Sequence, residues 1–239
     1  MKEIVDIMDD KTFVKVEQID KGWSNDKKYY IETIDGRKLL LRVANISEYS
    51  RKKVEFELMQ QVVTLGVAMS EPLDFGICHN GESVYSLFTW CDGEDAEVVI
   101  PHLSETEQYV LGVRSGEILR EIHSIPAPKE QEEWSSSFNR KTNNKIEKYN
   151  ACGISFDGDD KIISYIESNR HLLRGRPQCF QHGDYHTGNM VISSDNALSI
   201  IDFNRLDYGD PWEEFNRIVW SAASSYSDLV FRKFSHAIY

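Results

Sequence analysis

Residues 181–205 read QHGDYHTGNMVISSDNALSIIDFNR and contain two short apolar runs, at 190–192 and 198–201. The residues between the runs are Ser, Asp and Asn, which favour turns. Two short apolar runs separated by such a turn are typical of a β-hairpin whose strands are buried. This predicted hairpin is the element around which the rest of the fold is placed.

Three polar side chains lie at the ends of the predicted hairpin. Asp184 and Asn189 precede its first strand, and Asp202 follows its second strand. Carboxylate and amide groups are rarely placed beside a core unless they are paired or bind an ion. Because all three groups offer oxygen ligands, the pattern indicates a site for Mg²⁺ more readily than for Zn²⁺.

The composition is that of an ordinary globular protein. Of its 239 residues 41% are hydrophobic and 28% are charged, and the net charge is −12. Such an acidic chain is not expected to bind nucleic acid, which needs a basic face. The charge suits a cationic small molecule, although excess acid also simply keeps a protein in solution.

The cysteine pattern indicates a reducing compartment. Four cysteines lie far apart in the sequence, at Cys78, Cys91, Cys152 and Cys179. This spacing predicts neither a disulfide framework nor a zinc site, so we expect a cytoplasmic protein. The sequence has no apolar stretch of about 18 residues, and no membrane partner is therefore expected. The oligomeric state remains open.

The first ninety residues predict strands around one helix. Asp35-Gly36 is a strong hairpin turn signal between the second and third strands. The predicted strands are 12–19, 27–34, 38–43, 73–78 and 83–88, and the helix is 47–65. Helical spacing predicts that the helix buries Val54, Leu58, Val62 and Leu65.

After a polar linker at 91–96, the chain becomes mainly helical. Ser104 and Glu107 match a capping box at the start of one helix. Further helices are expected at about 138–150 and 159–174, after an exposed loop at 126–136. A last helix is expected to begin near Asp210.

The segment HGDYHTGN at 182–189, followed by IDF at 201–203, resembles the catalytic signature of the aminoglycoside phosphotransferase family. That family includes choline kinase-like and other small-molecule kinases, and it has the two-lobed fold of protein kinases. The resemblance extends over nearly the whole chain. It implies a bilobed α+β fold, with a small mixed β-sheet N-lobe carrying one helix and a larger, mainly helical C-lobe carrying the catalytic hairpin.

The resemblance also implies a division of the chain. Residues 1–90 would form the nucleotide-binding lobe, residues 91–96 the hinge, and residues 97–239 the catalytic and acceptor-binding lobe. In this arrangement Asp184 accepts or orients the proton of the attacking hydroxyl, and Asn189 and Asp202 hold Mg²⁺. His182 and His186 are expected to support the loop.

The nucleotide would bind in the small lobe. The family has its phosphate-covering loop where this chain has Gly22, Ser24 and Asn25, whose backbone N–H groups could reach the phosphates. Arg42 stands where protein kinases have their phosphate-binding Lys. The resemblance makes Glu55 its partner on the helix that follows; Glu57 is a competing choice.

The segment LFTWCDG at 87–93 resembles the family's adenine-binding hinge. Backbone groups of Thr89 and Cys91 would bond the base, and Phe88 would limit the depth of the pocket. Because backbone groups make these contacts, the nucleotide could be ATP or GTP.

The acceptor is less well defined. Acidic residues could form a rim for an amine-bearing substrate or simply a solvated face: Asp157, Asp159, Asp160, Glu213 and Glu214. Members of the family usually carry further C-terminal helices, so the acceptor pocket is expected to be smaller, differently built or incomplete. The expected activity is phosphorylation of a small hydroxylated, cationic molecule, with an aminoglycoside first. A macrolide, a sugar, another metabolite and a non-catalytic nucleotide-binding module are the alternatives.

Overall fold

The computed structural model describes residues 13–20 and 24–216. Its N-terminal part is a five-stranded sheet in the order β1-β2-β3-β5-β4. The strands are β1 (Phe13–Ile19), β2 (Lys27–Thr33), β3 (Lys38–Asn45), β4 (Pro72–Cys78) and β5 (Ser83–Thr89). Every neighbouring pair is antiparallel, which corrects the expectation of a mixed sheet. The reason is the connections: tight turns join β2 to β3 and β4 to β5, and one helix returns the chain between β3 and β4.

That helix is α1 (Tyr49–Val63), and its buried face differs from the predicted one. Val54 is exposed, and Val62 is the only fully buried member of the predicted stripe. The buried residues are Lys52, Glu55, Phe56, Met59 and Val62. This face of α1 is buried because Lys52 and Glu55 have charged partners in the interior of the protein. A pattern of apolar residues does not reveal such partners.

The helical part contains α2 (Ala96–Val99), α3 (Glu105–Ile122), α4 (Trp134–Ala151) and α5 (Asp159–Asn169). The capping box between Ser104 and Glu107 is present at the start of α3, as predicted. Helix α4 begins within the segment that was predicted to be an exposed loop, because the Trp134 ring is buried and packs 5.0 Å from the ring of Phe138.

The predicted hairpin is present between these helices and the sheet. The remaining strands are β6 (Glu94–Asp95), β7 (Cys179–Gln181), β8 (Met190–Ile192), β9 (Leu198–Ile200) and β10 (Asp207–Gly209). Strands β8 and β9 form the hairpin, and β6 adds to its free edge. Two of the six residues of the predicted linker, Glu94 and Asp95, therefore form a strand that pairs with the hairpin. Strand β7 pairs with β10.

One apolar core joins the sheet and α1 to the helical part. It includes Phe56 and Phe88 from the first part and Ile118, Phe180 and Ile200 from the second. The backbone N–H of Ile200 also donates to the carbonyl of Ala68, at 2.9 Å. The hairpin is thus fixed against the chain segment that leads into β4. The proposed lobe boundaries at 90 and 96 stay a prediction.

Two expectations from composition can be compared with the fold. All four cysteines are free thiols, as predicted. Among residues 13–20 and 24–216, no helix has the length and apolar character needed to cross a bilayer. The segment Pro211–Glu214 is a single 3₁₀ turn begun by Asp210, whose carboxylate accepts from the backbone N–H of Trp212. Residues 215 and 216 are helical, and the rest of the helix predicted there lies outside the described residues.

Candidate active site

The ends of the hairpin bring Asp184, Asn189 and Asp202 together, as the sequence predicts. Asn189 ends the short turn before β8, and Asp202 lies two residues after β9. The side-chain amide of Asn189 donates to the backbone carbonyl of Asp184 at 2.9 Å. The carbonyl of Asn189 in turn accepts from the backbone N–H of Ile201 at 3.0 Å. Short backbone links therefore fix the three residues relative to one another.

Asp202 has a left-handed backbone conformation, with φ +65°. This conformation is costly for a residue other than Gly and persists only where the surroundings enforce it. Its Oδ1 atom lies 3.0 Å from Arg42 Nη1, and the same atom accepts from the side-chain amide of Asn204. The backbone thus directs the carboxylate toward the sheet above the hairpin.

His182 supports the loop that carries Asp184. Its ring is fully buried, and Nε2 donates to the carbonyl of Ile201 at 3.0 Å. Nδ1 accepts from the backbone N–H of Asp184 at 3.2 Å. These bonds require a neutral ring, and burial lowers the pKa of His182 despite the nearby carboxylates. His182 therefore positions Asp184 and does not act on a substrate.

Glu214 holds the same loop from the other side. Its carboxylate accepts from the backbone N–H groups of His182, at 2.7 Å, and Gly183, at 2.8 Å. The side chain is buried, so the expectation that Glu214 belongs to an acidic substrate rim is wrong. Gly183 has φ +80°, and a Cβ there would lie 1.8 Å from the carbonyl oxygen of Arg205. Only glycine fits this position.

The carboxylate of Asp184 is partly exposed beside the hairpin. Its Oδ2 atom lies 3.7 Å from Arg205 Nε and 3.8 Å from His186 Nε2. Both distances are longer than a hydrogen bond, so these side chains flank the carboxylate without covering it. The group is accessible to the hydroxyl of an approaching molecule.

A cleft lies between the sheet and the hairpin. Most of the predicted nucleotide and metal residues line it: Arg42, Glu55, Phe88, Thr89, Cys91, Asn189 and Asp202. The hydroxyl of Ser24 is 3.4 Å from Arg42 Nη2, at the edge of this group. Asn25 is exposed next to Ser24, and Gly22 lies outside the described residues.

The backbone groups of Thr89 already have partners within the fold. Its backbone N–H donates to the carbonyl of Glu71 at 2.9 Å, and its carbonyl accepts from the hydroxyl of Ser70 at 2.6 Å. The next N–H, of Trp90, donates to Lys38. The pairing at the end of β5 thus already occupies the N–H groups of 89 and 90. Cys91 is the remaining predicted backbone position for a base.

Arg42 is not paired with Glu55, which corrects the expected ion pair. Its guanidinium lies 3.0 Å from Asp26 Oδ2, besides its contact with Asp202. Lys52 Nζ lies 2.7 Å from the same Asp26 oxygen and 3.4 Å from Glu55 Oε2. Lys52 is one helical turn from Glu55 and so takes the place that the resemblance gave to Arg42.

Arg42, Lys52, Asp26 and Glu55 form an ion cluster, and burial affects its two carboxyl groups differently. Burial alone would raise the pKa of Asp26, but the Arg42 guanidinium and the Lys52 ammonium outweigh it and hold that pKa below its usual value. Burial raises the pKa of Glu55, because Lys52 and the arginines only partly compensate. Sequence reasoning missed Asp26 and Lys52. The signal that could have suggested Asp26 is its position directly before β2, opposite the region of Arg42.

The oxygen ligands fit a magnesium ion bound together with a phosphate. No group of three or more His, Cys, Asp or Glu side chains in the described part of the chain could hold a metal alone. Asp202 and Asn189 supply oxygen atoms from adjacent backbone positions facing one cleft. Mg²⁺ commonly takes one or two such protein ligands and completes its shell with water and phosphate oxygens.

Asp159 is already bonded within the fold. Its carboxylate accepts a hydrogen bond from the Tyr149 hydroxyl and another from the backbone N–H of Asp160 at the start of α5. These bonds hold the carboxylate at the end of a helix. The acidic rim stays a prediction for Asp157, Asp160 and Glu213.

Three solved structures illustrate what this fold is similar to. The ternary complex of streptomycin, ATP and APH(2'')-IIa has a TM-score of 0.68 and 18% identity, covering 95% of this chain and 77% of that one. The GDP complex of an aminoglycoside 2'-phosphotransferase-IIIa mutant has a TM-score of 0.70 and 14% identity, covering 99% and 80%. Amicoumacin kinase hAmiN, in complex with AMP-PNP, Ca²⁺ and Ami, has a TM-score of 0.65 and 14% identity, covering 99% and 74%.

A comparison with curated proteins by sequence gives no match. The profile of the phosphotransferase enzyme family matches residues 15–237, which is nearly the whole chain. The fold agrees with this match, since the similar structures are protein-kinase-like phosphotransferases that align with 95% and 99% of this chain. The predicted bilobed α+β class is therefore confirmed, and the chain belongs to the phosphotransferase enzyme family.

Proposed function

We propose that the protein transfers the terminal phosphoryl group of ATP or GTP, with Mg²⁺, to a hydroxyl of a small molecule. The observation that carries this proposal is the convergence of Asp184, Asn189 and Asp202 at the ends of one hairpin, beside a cleft lined by Arg42. Phosphoryl transfer needs mainly such positioning and charge neutralisation.

The roles follow from the positions of the side chains. Asp184, accessible and oriented by its neighbours, accepts a hydrogen bond from the attacking hydroxyl and takes its proton as the bond to phosphorus forms. Asn189 and Asp202 are the metal ligands. When bound, the metal ion neutralises charge that develops on the phosphate oxygens.

The cleft suits a nucleotide in one orientation. The base lies against Phe88, which closes the apolar end, and bonds to backbone groups at Cys91. The phosphates then extend toward Arg42, whose planar guanidinium is a good bidentate ligand for phosphate. Contact through backbone groups leaves ATP and GTP as equal candidates.

The proposed acceptor is a hydroxylated cationic molecule, with an aminoglycoside first. The net charge of −12 favours such a molecule through long-range attraction. One similar structure contains streptomycin, and another is an amicoumacin kinase. Macrolides, sugars and choline-like metabolites are the next candidates.

The test is release of nucleoside diphosphate from Mg·ATP and Mg·GTP in the presence of aminoglycosides, macrolides, choline and sugars. A true acceptor should give turnover of about 1–100 s⁻¹, well above background hydrolysis. The Asp184→Asn variant is the control and should lose this activity. Nucleotide binding without transfer to any acceptor would favour a non-catalytic binding module instead.

A further inference from the structure

Lys28 is a second cation on the wall of the cleft. It lies on β2 directly opposite Arg42 on β3, and both side chains line the cleft. Like charges opposite each other on neighbouring strands destabilise a sheet. A local arrangement that costs stability is most often kept where it serves a site.

The two other cations of this region are differently placed. The Lys52 side chain is only 6% exposed, lies between Asp26 and Glu55, and is absent from the cleft wall. Arg42 reaches the cleft but is ion-paired with Asp26 and Asp202. Of the three lysines and arginines in this cluster, therefore, Arg42 and Lys28 are the ones that a ligand in the cleft can touch.

Burial, Arg42 and two carboxylates set the electrostatic environment of Lys28. Burial and the adjacent Arg42 lower the pKa of Lys28, although Asp202 and Asp26 act in the opposite direction. A metal ion at Asp202 would remove the part of that compensation that Asp202 gives to Lys28 and Arg42. An anion bound between Lys28 and Arg42 would then compensate their positive charge.

We propose that Lys28 is a phosphate-binding residue that contacts the polyphosphate of the nucleotide together with Arg42. This assignment rests on the proposed function. A nucleoside triphosphate carries more negative charge than one divalent cation neutralises. The positive charges of Lys28 and Arg42 match the negative charge that remains. Lys28, a flexible ammonium, complements the rigid fork of Arg42.

The neighbouring Lys27 provides a matched control. Successive residues of a strand point to opposite faces, and Lys27 is exposed on the face away from the cleft. Lys27→Met removes the same charge from the same strand, one residue away. A general effect of net charge on nucleotide binding would therefore appear in both variants.

The first experiment measures dissociation constants by calorimetry for Mg·ATP, Mg·GTP and the two nucleosides. Lys28→Met should weaken binding of the triphosphate by about 10- to 100-fold, the usual effect of losing a hydrogen bond to a charged group. Binding of the nucleoside should be unchanged, and Lys28→Arg should keep most of the triphosphate affinity. Lys27→Met should behave like the unaltered protein.

A second measurement needs no variant. Amine-selective acetylation of the unaltered protein, read by mass spectrometry, should show Lys28 protected by Mg·ATP or Mg·GTP but not by the nucleoside. Lys27 should be acetylated equally in all samples.

The outcomes separate this inference from the proposed function. Triphosphate binding by the unaltered protein that is equally strong in Lys28→Met, or equally weakened in Lys27→Met, would overturn the role of Lys28 alone. Equal acetylation of Lys28 with and without bound triphosphate would do the same. An unaltered protein that binds neither triphosphate would overturn both the inference and the proposed function.

Discussion

Arg42 Nη1 lies 3.0 Å from Asp202 Oδ1, so the cation proposed for the phosphates and the carboxylate proposed for the metal are paired with each other. Asp26 holds the other side of the same guanidinium. A metal ion that takes Asp202 would release Arg42 toward the phosphates while Asp26 keeps it in place. Binding of metal and binding of phosphate would thereby be coupled.

Asp202→Ala tests this coupling. In the unaltered protein, nucleotide affinity should rise when Mg²⁺ is added, because Asp202 would help to hold a metal ion that neutralises phosphate charge. The variant should lose this increase. Its metal-free affinity should be equal or higher, since Arg42 loses a competing carboxylate. Calorimetry with and without Mg²⁺ measures both; an unchanged response to Mg²⁺ would contradict the assignment of Asp202.

Asp184→Asn should separate chemistry from binding. The amide cannot accept the hydroxyl proton, and turnover should fall by about 10²- to 10⁴-fold. The dissociation constant for the magnesium nucleotide should be nearly unchanged, because the side chain does not line the cleft. Steady-state kinetics and calorimetry on the same preparation test this. A variant with the turnover of the unaltered protein would rule out the role.

Asp26→Asn should destabilise the protein strongly. Arg42 and Lys52 would lose a shared buried partner, and removing one side of a buried ion pair costs about 3 kcal/mol or more. Asp92→Asn is the control, since Asp92 pairs with Lys38 at the surface and should cost less than about 1 kcal/mol. Urea unfolding of both variants measures the difference; similar losses would contradict the buried cluster.

The stability of the protein should fall at mildly acidic pH because of His182. Its pKa in the folded state is lower than the ordinary value of 6.5. The unfolded chain therefore binds the proton more readily, so this contribution is complete above pH 6.5 and decreases as the pH falls below it, by up to about 1.4 kcal/mol per pH unit. Glu214, Asp184 and Asp202 face the ring and moderate the effect.

Urea unfolding between pH 5.5 and 7.5 measures this dependence. His182→Gln should reduce the slope of the free energy of unfolding against pH, whatever its effect on absolute stability. An equal slope in the variant and in the unaltered protein would show that His182 does not titrate as inferred.

Gly183→Ala should damage both stability and activity. The added Cβ would overlap the backbone of Arg205, and the backbone could not keep its left-handed conformation without strain. Gly36→Ala is matched in conformation, with φ +82°, but has open space around it and should cost only about 1–2 kcal/mol. Thermal unfolding and turnover of both variants test whether the close approach at Gly183 decides the difference.

The sequence was sufficient for the hairpin and its polar ends. Turn-forming residues between two apolar runs are a local signal, and Asp184, Asn189 and Asp202 follow directly from it. The capping box at Ser104 was predictable for the same reason, since its two partners are three residues apart. Signals of this kind need no knowledge of the rest of the chain.

The ion cluster and the support of the catalytic loop were not predictable in this way. Lys52 and Glu55 are polar in any hydrophobic pattern, and their burial depends on Asp26, which is 26 residues before Lys52. Glu214 reaches Gly183 across 31 residues. Such contacts arise only when the tertiary fold brings distant segments together, which a single sequence does not encode locally.

Strand β6 also has a mechanical consequence for the cleft. Glu94 and Asp95 are hydrogen-bonded to β8, and the backbone N–H of Trp90 is bonded to Lys38 in the sheet. In this connection, Cys91 to Gly93 would therefore have to absorb any rotation of the sheet against the hairpin. A base bound at Cys91 would then lie close to the axis of this rotation, and the phosphates would lie far from it. Opening and closing of the cleft would therefore change the protein's contacts with the phosphates far more than its contacts with the base.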